Sequence, residues 1–224
     1  VQALELSCTA NSVSGVGGGG EAGAGSTTKD APAPSADESS GSTAKGGGRK
    51  QAKVNSNAPK MLVLVGCPGC GKSTFAAALA ASHSSYVICS QDDAGGSRRV
   101  VEDMVSRNGK RLGQGTRIIL DRVNPTVDDR VSMLQLVFMP TDAVAVFFDI
   151  DAALCETRVA NRVGHPTIPY GKGKGAVKSM SRQLQVPVVG GKEGFAAVHT
   201  VRNPDDAAAL LASWGAEPPE VQPM

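Results

Sequence analysis

The 224-residue chain holds 23 Lys and Arg against 21 Asp and Glu, a formal net charge of +2. That near-balance does not by itself argue for nucleic acid, since duplex binding driven by counterion release usually wants a larger basic excess, and one Trp, two Tyr and five Phe are too few for a base-stacking platform. No run of eighteen apolar residues is present, which argues against a transmembrane helix.

Residues 1–59 are poor in apolar side chains and rich in Gly, Ser, Ala, Thr and Pro. Stretches such as Gly15 to Gly25, Ala31-Pro32-Ala33-Pro34 and Gly46-Gly47-Gly48 bury too little surface to offset ordering entropy. They read as a disordered, low-complexity tail or linker. Residues 60–214 suffice for one globular core, and residues 215–224, with Glu217-Pro218-Pro219-Glu220, read as a second disordered tail. A start at Val1 and linker-like ends suggest a segment of a longer protein with additional domains. The first residues lack the charged-then-apolar pattern of a secretory signal, and Glu5 and Glu21 weigh against a transit peptide. Five irregularly spaced cysteines suit a reducing, intracellular compartment, without separating nucleus from cytoplasm.

The first strand expected is Met61-Leu62-Val63-Leu64-Val65. Residues 66–73 follow as Gly-Cys-Pro-Gly-Cys-Gly-Lys-Ser, a complete Gly-x-x-x-x-Gly-Lys-Ser phosphate-binding loop, and Ser73 to Ala80 forms helix. Strand, loop and helix in that order point to a nucleoside triphosphate. Gly66, Gly69 and Gly71 let the backbone curl its N–H groups inward, and the helix N-terminus adds partial positive charge. The ATP-binding set is Gly66, Cys67, Pro68, Gly69, Cys70, Gly71, Lys72, Ser73 and Thr74. Lys72 reaches the β- and γ-phosphates, and the Ser73 hydroxyl holds Mg²⁺. Cys67 and Cys70 lack a second ligand pair for zinc. They fit best as small side chains at variable loop positions, although proximity to helical N–H groups would lower a thiol pKa.

Further along, Tyr86 to Cys89 reads as a strand, Ser97 to Asn108 as a helix and Thr116 to Asp121 as a strand. Thr126 caps a helix with Asp128 and Asp129 in its first turn. Ala143 to Phe148 is a strand, followed by a helix from Ala152 to Arg162. Gly175 to Gln185 is helical, Ala196 to Val201 a short strand, and Asp205 to Ala212 a last helix. Near-continuous apolar strands alternating with helices specify an α/β fold: a five-stranded parallel sheet with helices on both faces. Ligands then gather beyond the carboxyl ends of the strands.

Three regions there carry candidates. Asp92, just after the second strand, fits a general base for an acceptor hydroxyl; Asp92 or Asp93 equally fits a cap for the next helix. Asp121, ending the third strand before Arg122, fits Mg²⁺ coordination through water or acceptor contact, and also a turn before Pro125. From Arg158 to Arg182 the charged side chains are all basic, Arg158 and Arg162 share a helix face, and Gly164, Gly171, Gly173 and Gly175 intervene. That combination suits a Gly-rich basic lid bringing arginine to a transferring phosphoryl group.

Taken together, Gly-Cys-Pro-Gly-Cys-Gly-Lys-Ser-Thr (66–74), Ser-Gln-Asp-Asp (90–93), Ile-Leu-Asp-Arg-Val-Asn-Pro (119–125) and the Arg158/Arg162 region resemble the P-loop kinase domain of polynucleotide 5′-kinases. The pattern is closer still to the kinase region of plant aprataxin-like proteins, through Arg-Val-Gly-His-Pro (162–166), Ala-Val-Lys-Ser-Met (176–180) and Glu-Gly-Phe (193–195). The resemblance implies ATP- and Mg²⁺-dependent phosphorylation of a 5′-hydroxyl end of DNA or RNA, in repair or RNA processing. It makes Lys72, Asp92, Arg158 and Arg162 catalytic, with Asp92, Arg98, Arg99, Asp121 and Arg122 on the acceptor side. One departure stands out: polynucleotide kinases commonly place an arginine shortly after the base, where this chain has Ala94-Gly95-Gly96. A small-molecule hydroxyl kinase and a non-catalytic nucleotide-binding module are the alternatives.

Overall fold

The structure, a computed structural model, describes residues 57–112, 114–137, 142–161 and 173–218. Most of the expected first tail lies outside them, as does the end of the second.

Five strands form one parallel sheet: β1 (Met61–Val65), β2 (Tyr86–Ser90), β3 (Arg117–Asp121), β4 (Ala143–Phe148) and β5 (Ala197–Val201). Their order is β2-β3-β1-β4-β5. Between them run α1 (Lys72–Ser82), α2 (Arg98–Gly109), α3 (Val127–Leu134), α4 (Ala152–Ala160) and α5 (Gly173–Gln183), and α6 (Pro204–Ser213) follows β5. The expected elements all appear, with ends displaced by a residue or two.

The pleat sorts each strand onto two cores. Leu62 and Leu64 of β1, Ile119 of β3 and Val146 and Phe148 of β4 pack with α1, α4, α5 and α6 through Phe75, Val159, Val177 and Leu211. Met61, Val63 and Val65, with Ile118, Leu120, Ala145 and Phe147, pack with α2 and α3 through Val101, Val105, Met133 and Leu134. Both sheet faces are covered, which is why these strands are apolar without alternation.

Register brings the functional loops to one edge. Leu64 of β1 and Ser90 of β2 both pair with Asp121 of β3. The residues leaving all three strands therefore emerge side by side. The chain passes from β1 across β3 to β2 and later from β3 across β1 to β4, so strand order reverses between β1 and β3. In open parallel sheets such a reversal leaves a crevice for ligands.

Two segments read as tail belong to the fold. Ala58 is buried, the Tyr86 hydroxyl donates to Pro59 O at 2.5 Å, and the Arg117 guanidinium also bonds the Ala58 carbonyl. At the other end Ala216 is buried, its N–H donates to Leu211 O at 2.9 Å, and Glu217 N–H donates to Ser82 Oγ at 3.1 Å. Sequence composition changes a few residues away from where the packing ends.

Candidate active site

Among the described residues four helices begin with a side-chain cap: Ser97, Thr126, Asp151 and Asn203 accept from the N–H three residues on. Helix α1 does not. Its cap is Gly71, left-handed at φ 105°, which makes no side-chain bond, and no acid occupies the first turn. The glycine is required because an L side chain at that φ is strained. The N–H groups at the start of α1 thus remain available at the mouth of the loop.

Lys72 folds back over the loop it ends. Its ammonium donates to Gly66 O at 2.9 Å and Cys67 O at 2.8 Å and lies 3.5 Å from Cys70 Sγ, with the residue 7% exposed. The two carbonyls hold the charge where phosphate oxygens can replace them. Cys67 and Cys70 are buried free thiols. Burial, reinforced by the neighbouring Cys70, pushes the Cys67 thiol up despite Lys72. This is opposite to the lowering that a helix N-terminus suggests, and desolvation by burial is its largest cause. The pair is packing beneath the loop.

A cavity of about 440 Å³ opens above these groups. One wall is Pro68, Gly69 and Gly71 to Thr74; another is Gln91, Asp92 and Gly96; a third is Asp121 to Val123, with Ala176 and Met180 of α5 contributed from above. Lys72, Ser73, Asp92, Asp121 and Arg122 therefore meet in one place, from three separate strand ends.

Asp121 is 7% exposed, with the Ser73 hydroxyl near its carboxylate. Burial holds its carboxyl above the usual range, the charges of Asp92 and Asp93 push the same way, and Ser73 and Lys72 oppose them. Its side chain does not form the turn before Pro125. That turn is held by Asn124, at φ 47°, whose Nδ2 donates to Leu64 O at 2.7 Å. Likewise Asp92 does not cap α2. The cap is Ser97, whose Oγ accepts from Val100 N–H, and residues 90–97 form tight turns that turn Asp92 toward the cavity wall.

Other expected residues fall elsewhere. Arg98 and Arg99 are exposed at the start of α2 and line none of this cavity. Arg98 is bound to Glu102 at 2.7 Å, Asp129 at 2.6 Å and Ser132 at 2.7 Å, an arrangement that draws it onto α3. Arg158, on α4, reaches the loop backbone, with Nη1 3.4 Å from Gly69 O. Arg162 and most of the Gly-rich region lie outside the described residues. Gln91, Gly96, Ala176 and Met180 were not among the expected site residues, although Gln91 sits in the Ser-Gln-Asp-Asp motif and Ala176 and Met180 bound the Ala-Val-Lys-Ser-Met motif.

The donor set suits a hard cation. Ser73 and Asp121 offer oxygen ligands at the base of the cavity, matching Mg²⁺, which takes few protein ligands alongside phosphate oxygens and water. Among the described residues no group of three or more His, Cys, Asp or Glu side chains gathers to hold a metal by itself.

A family model described as an AAA domain matches residues 61–187, more than half of the chain. The Arabidopsis thaliana protein named Transcription factor bHLH140 is 27% identical over 141 residues, 62% of this chain and 15% of that protein. The chain thus spans under a sixth of its curated relative, which is named for transcription and not as aprataxin-like. Among solved structures, a sugar kinase from Janibacter sp. HTCC2649 aligns at TM-score 0.52 and 16% identity, over 70% of this chain and 94% of its own. Kti12 of Chaetomium thermophilum, in complex with ADP-AlF3, also aligns at 0.52, with 14% identity over 70% and 98%. A fungal RNA kinase aligns at 0.50, with 14% identity over 68% and 83%. At these identities the likeness is one of fold, that of the P-loop kinases, and the fold leaves the acceptor open.

Proposed function

The chain belongs to the AAA domain family, and from that premise we propose that it is an ATP-dependent kinase acting on the 5′-hydroxyl end of a polynucleotide. The observation that carries a kinase reading is the shared cavity: the phosphate loop and two carboxylates, Asp92 and Asp121, open into one space. The order of motifs supports the polynucleotide acceptor, and the fold, which a fungal RNA kinase shares, accommodates it. The same fold in a sugar kinase keeps a small-molecule hydroxyl as the second reading.

Loop N–H groups and the start of α1 hold the β- and γ-phosphates, and Lys72 turns from the carbonyls of Gly66 and Cys67 onto them. Ser73 and Asp121 would hold Mg²⁺, which neutralises charge on the phosphates when bound. Asp92 accepts the proton of the acceptor hydroxyl as its oxygen attacks the γ-phosphorus. The bond from that phosphorus to the β-bridging oxygen breaks, and ADP leaves. Arg158, already beside Gly69, and Arg162 stabilise the charge spread over the phosphoryl oxygens. The acceptor lies toward Asp121 and Arg122.

Transfer of labelled γ-phosphate to a 5′-hydroxyl oligonucleotide tests this, beside Asp92→Ala. The expected result is labelling that falls by about 10²–10⁴-fold in a variant still binding ATP. A folded, ATP-binding wild type that labels neither DNA nor RNA sinks the polynucleotide acceptor and leaves the sugar-type alcohols to be tried.

A further inference from the structure

Arg122 is the buried cation of the cavity that the phosphate chemistry leaves unused. It is 9% exposed, lines the space beside Asp92 and Asp121, and its Nη1 is fully buried with no hydrogen-bond partner among the described residues. One contact orients it: Nε donates to Gln91 Oε1 at 2.7 Å. Gln91 is itself fixed, since its Nε2 donates to Gly96 O at 3.0 Å and its backbone N–H to Asp121 O at 3.2 Å. A neutral amide thus sets the guanidinium in place without cancelling its charge.

The charges around Arg122 do not cancel it by contact either. Arg98 repels it, and the two carboxylates that attract it, Asp129 and Glu102, are both hydrogen-bonded to Arg98. A buried, fixed guanidinium with spare N–H capacity is a site for an anion, because leaving such a group unpaired is costly. The ATP phosphates lie at the loop, on the wall formed by Lys72 and Ser73, so the anion that meets Arg122 must come with the acceptor.

We infer that Arg122, positioned by Gln91, binds a phosphate carried by the acceptor next to its reacting hydroxyl, so that the preferred acceptor is an anionic alcohol. This rests on the kinase reading above. It also supplies from the end of β3 the guanidinium that the glycines following Asp93 cannot. For a polynucleotide the phosphate is the first internucleotide phosphodiester; for a small molecule it is a sugar monophosphate.

The test uses the full chain loaded with ADP or ATP, and a 5′-hydroxyl trinucleotide whose first linkage is either the native phosphodiester or a neutral methylphosphonate. Binding and kcat/KM are measured for wild type, Arg122→Gln and Arg122→Lys, with ATP binding and melting as checks on folding. Fructose 6-phosphate and fructose form a parallel pair of acceptors. On the native trinucleotide Arg122→Gln is expected to lose about 10–100-fold in binding and kcat/KM, with Arg122→Lys between. The neutral linkage should cost wild type a similar factor and cost Arg122→Gln nothing more. A neutral-linkage penalty that persists in Arg122→Gln, or no charge preference in wild type for either pair, overturns the assignment; turnover of both trinucleotides alike would do so with the polynucleotide reading intact. An Arg122-dependent preference for fructose 6-phosphate over fructose, with neither trinucleotide bound, keeps the anion site and removes the polynucleotide acceptor.

Discussion

Arg130 and Glu193 form a buried ion pair in which two guanidinium nitrogens, Nε at 2.9 Å and Nη2 at 2.6 Å, donate to one carboxylate oxygen. The side chains are 0% and 2% exposed. The remaining Nη1 donates to Asn124 O at 3.0 Å, Pro125 O at 3.3 Å and Gln185 O at 2.9 Å. One guanidinium therefore joins the turn that follows Asp121 and Arg122 to the chain leaving α5.

Breaking that pair leaves a desolvated charge. Glu193→Ala is expected to cost about 3–5 kcal/mol in urea unfolding. A double change, Arg130→Met with Glu193→Leu, removes both charges but strips donors from three carbonyls, so stability should recover only in part. Full recovery would show that the carbonyl contacts contribute little.

Glycines near α4 make a contrasting set. A Cβ on Gly69, at φ 82°, would sit 2.7 Å from Val159 Cγ2 and 2.8 Å from the Cys155 carbonyl oxygen. Gly69→Ala is therefore expected to push the loop off α4, lower ATP affinity at least about tenfold and destabilise by about 1–3 kcal/mol. Titration with a fluorescent ATP analogue checks the first effect and thermal melting the second.

In α5 the two glycines should act oppositely. Gly175 has open space around its added Cβ, so Gly175→Ala is expected to stabilise the helix by about 1 kcal/mol. Gly173 faces Val159 at clashing distance, so Gly173→Ala is expected to destabilise. Equal melting shifts of the same sign in both variants would contradict the packing of α5 on α4.

The sheet, the loop and both carboxylates were legible because each has a local signature: apolar runs, spaced glycines, and an acid directly after a strand. What local sequence does not carry is which side chain performs which of two chemically equivalent tasks. Ser97 and Asn124 take the capping and turn roles open to Asp92 and Asp121, and that follows from tertiary placement. Arg98 and Arg122 are both arginines near the acceptor side in sequence. One is drawn to Asp129 and Glu102, while the other is buried behind Gln91, a difference made by Asp129 and Ser132 of α3 coming within reach of Arg98. Arg130 reads as an ordinary helix-surface charge until Glu193, 63 residues on, comes to meet it.

Asp121 offers a pH-dependent test of the site. Burial and the charges of Asp92 and Asp93 hold its carboxyl above the usual range. A raised folded-state pKa means that the folded protein resists ionisation of this group. Its contribution to stability is complete below the ordinary carboxylate pKa of about 4 and is lost as pH rises through the raised value. At neutral pH the ionised Asp121 is thus a strain on the nucleotide-free protein, relieved by Asp121→Asn. That variant should melt higher than wild type at pH 7, with the gap closing toward pH 3.5, while phosphotransfer falls by at least about 10²-fold. Adding Mg²⁺ and ATP should raise the wild-type melting temperature more than that of Asp121→Asn, because the carboxylate then gains a cation to bind. A variant that melts lower than wild type at pH 7 would mean that the Ser73 and Lys72 contacts outweigh the burial.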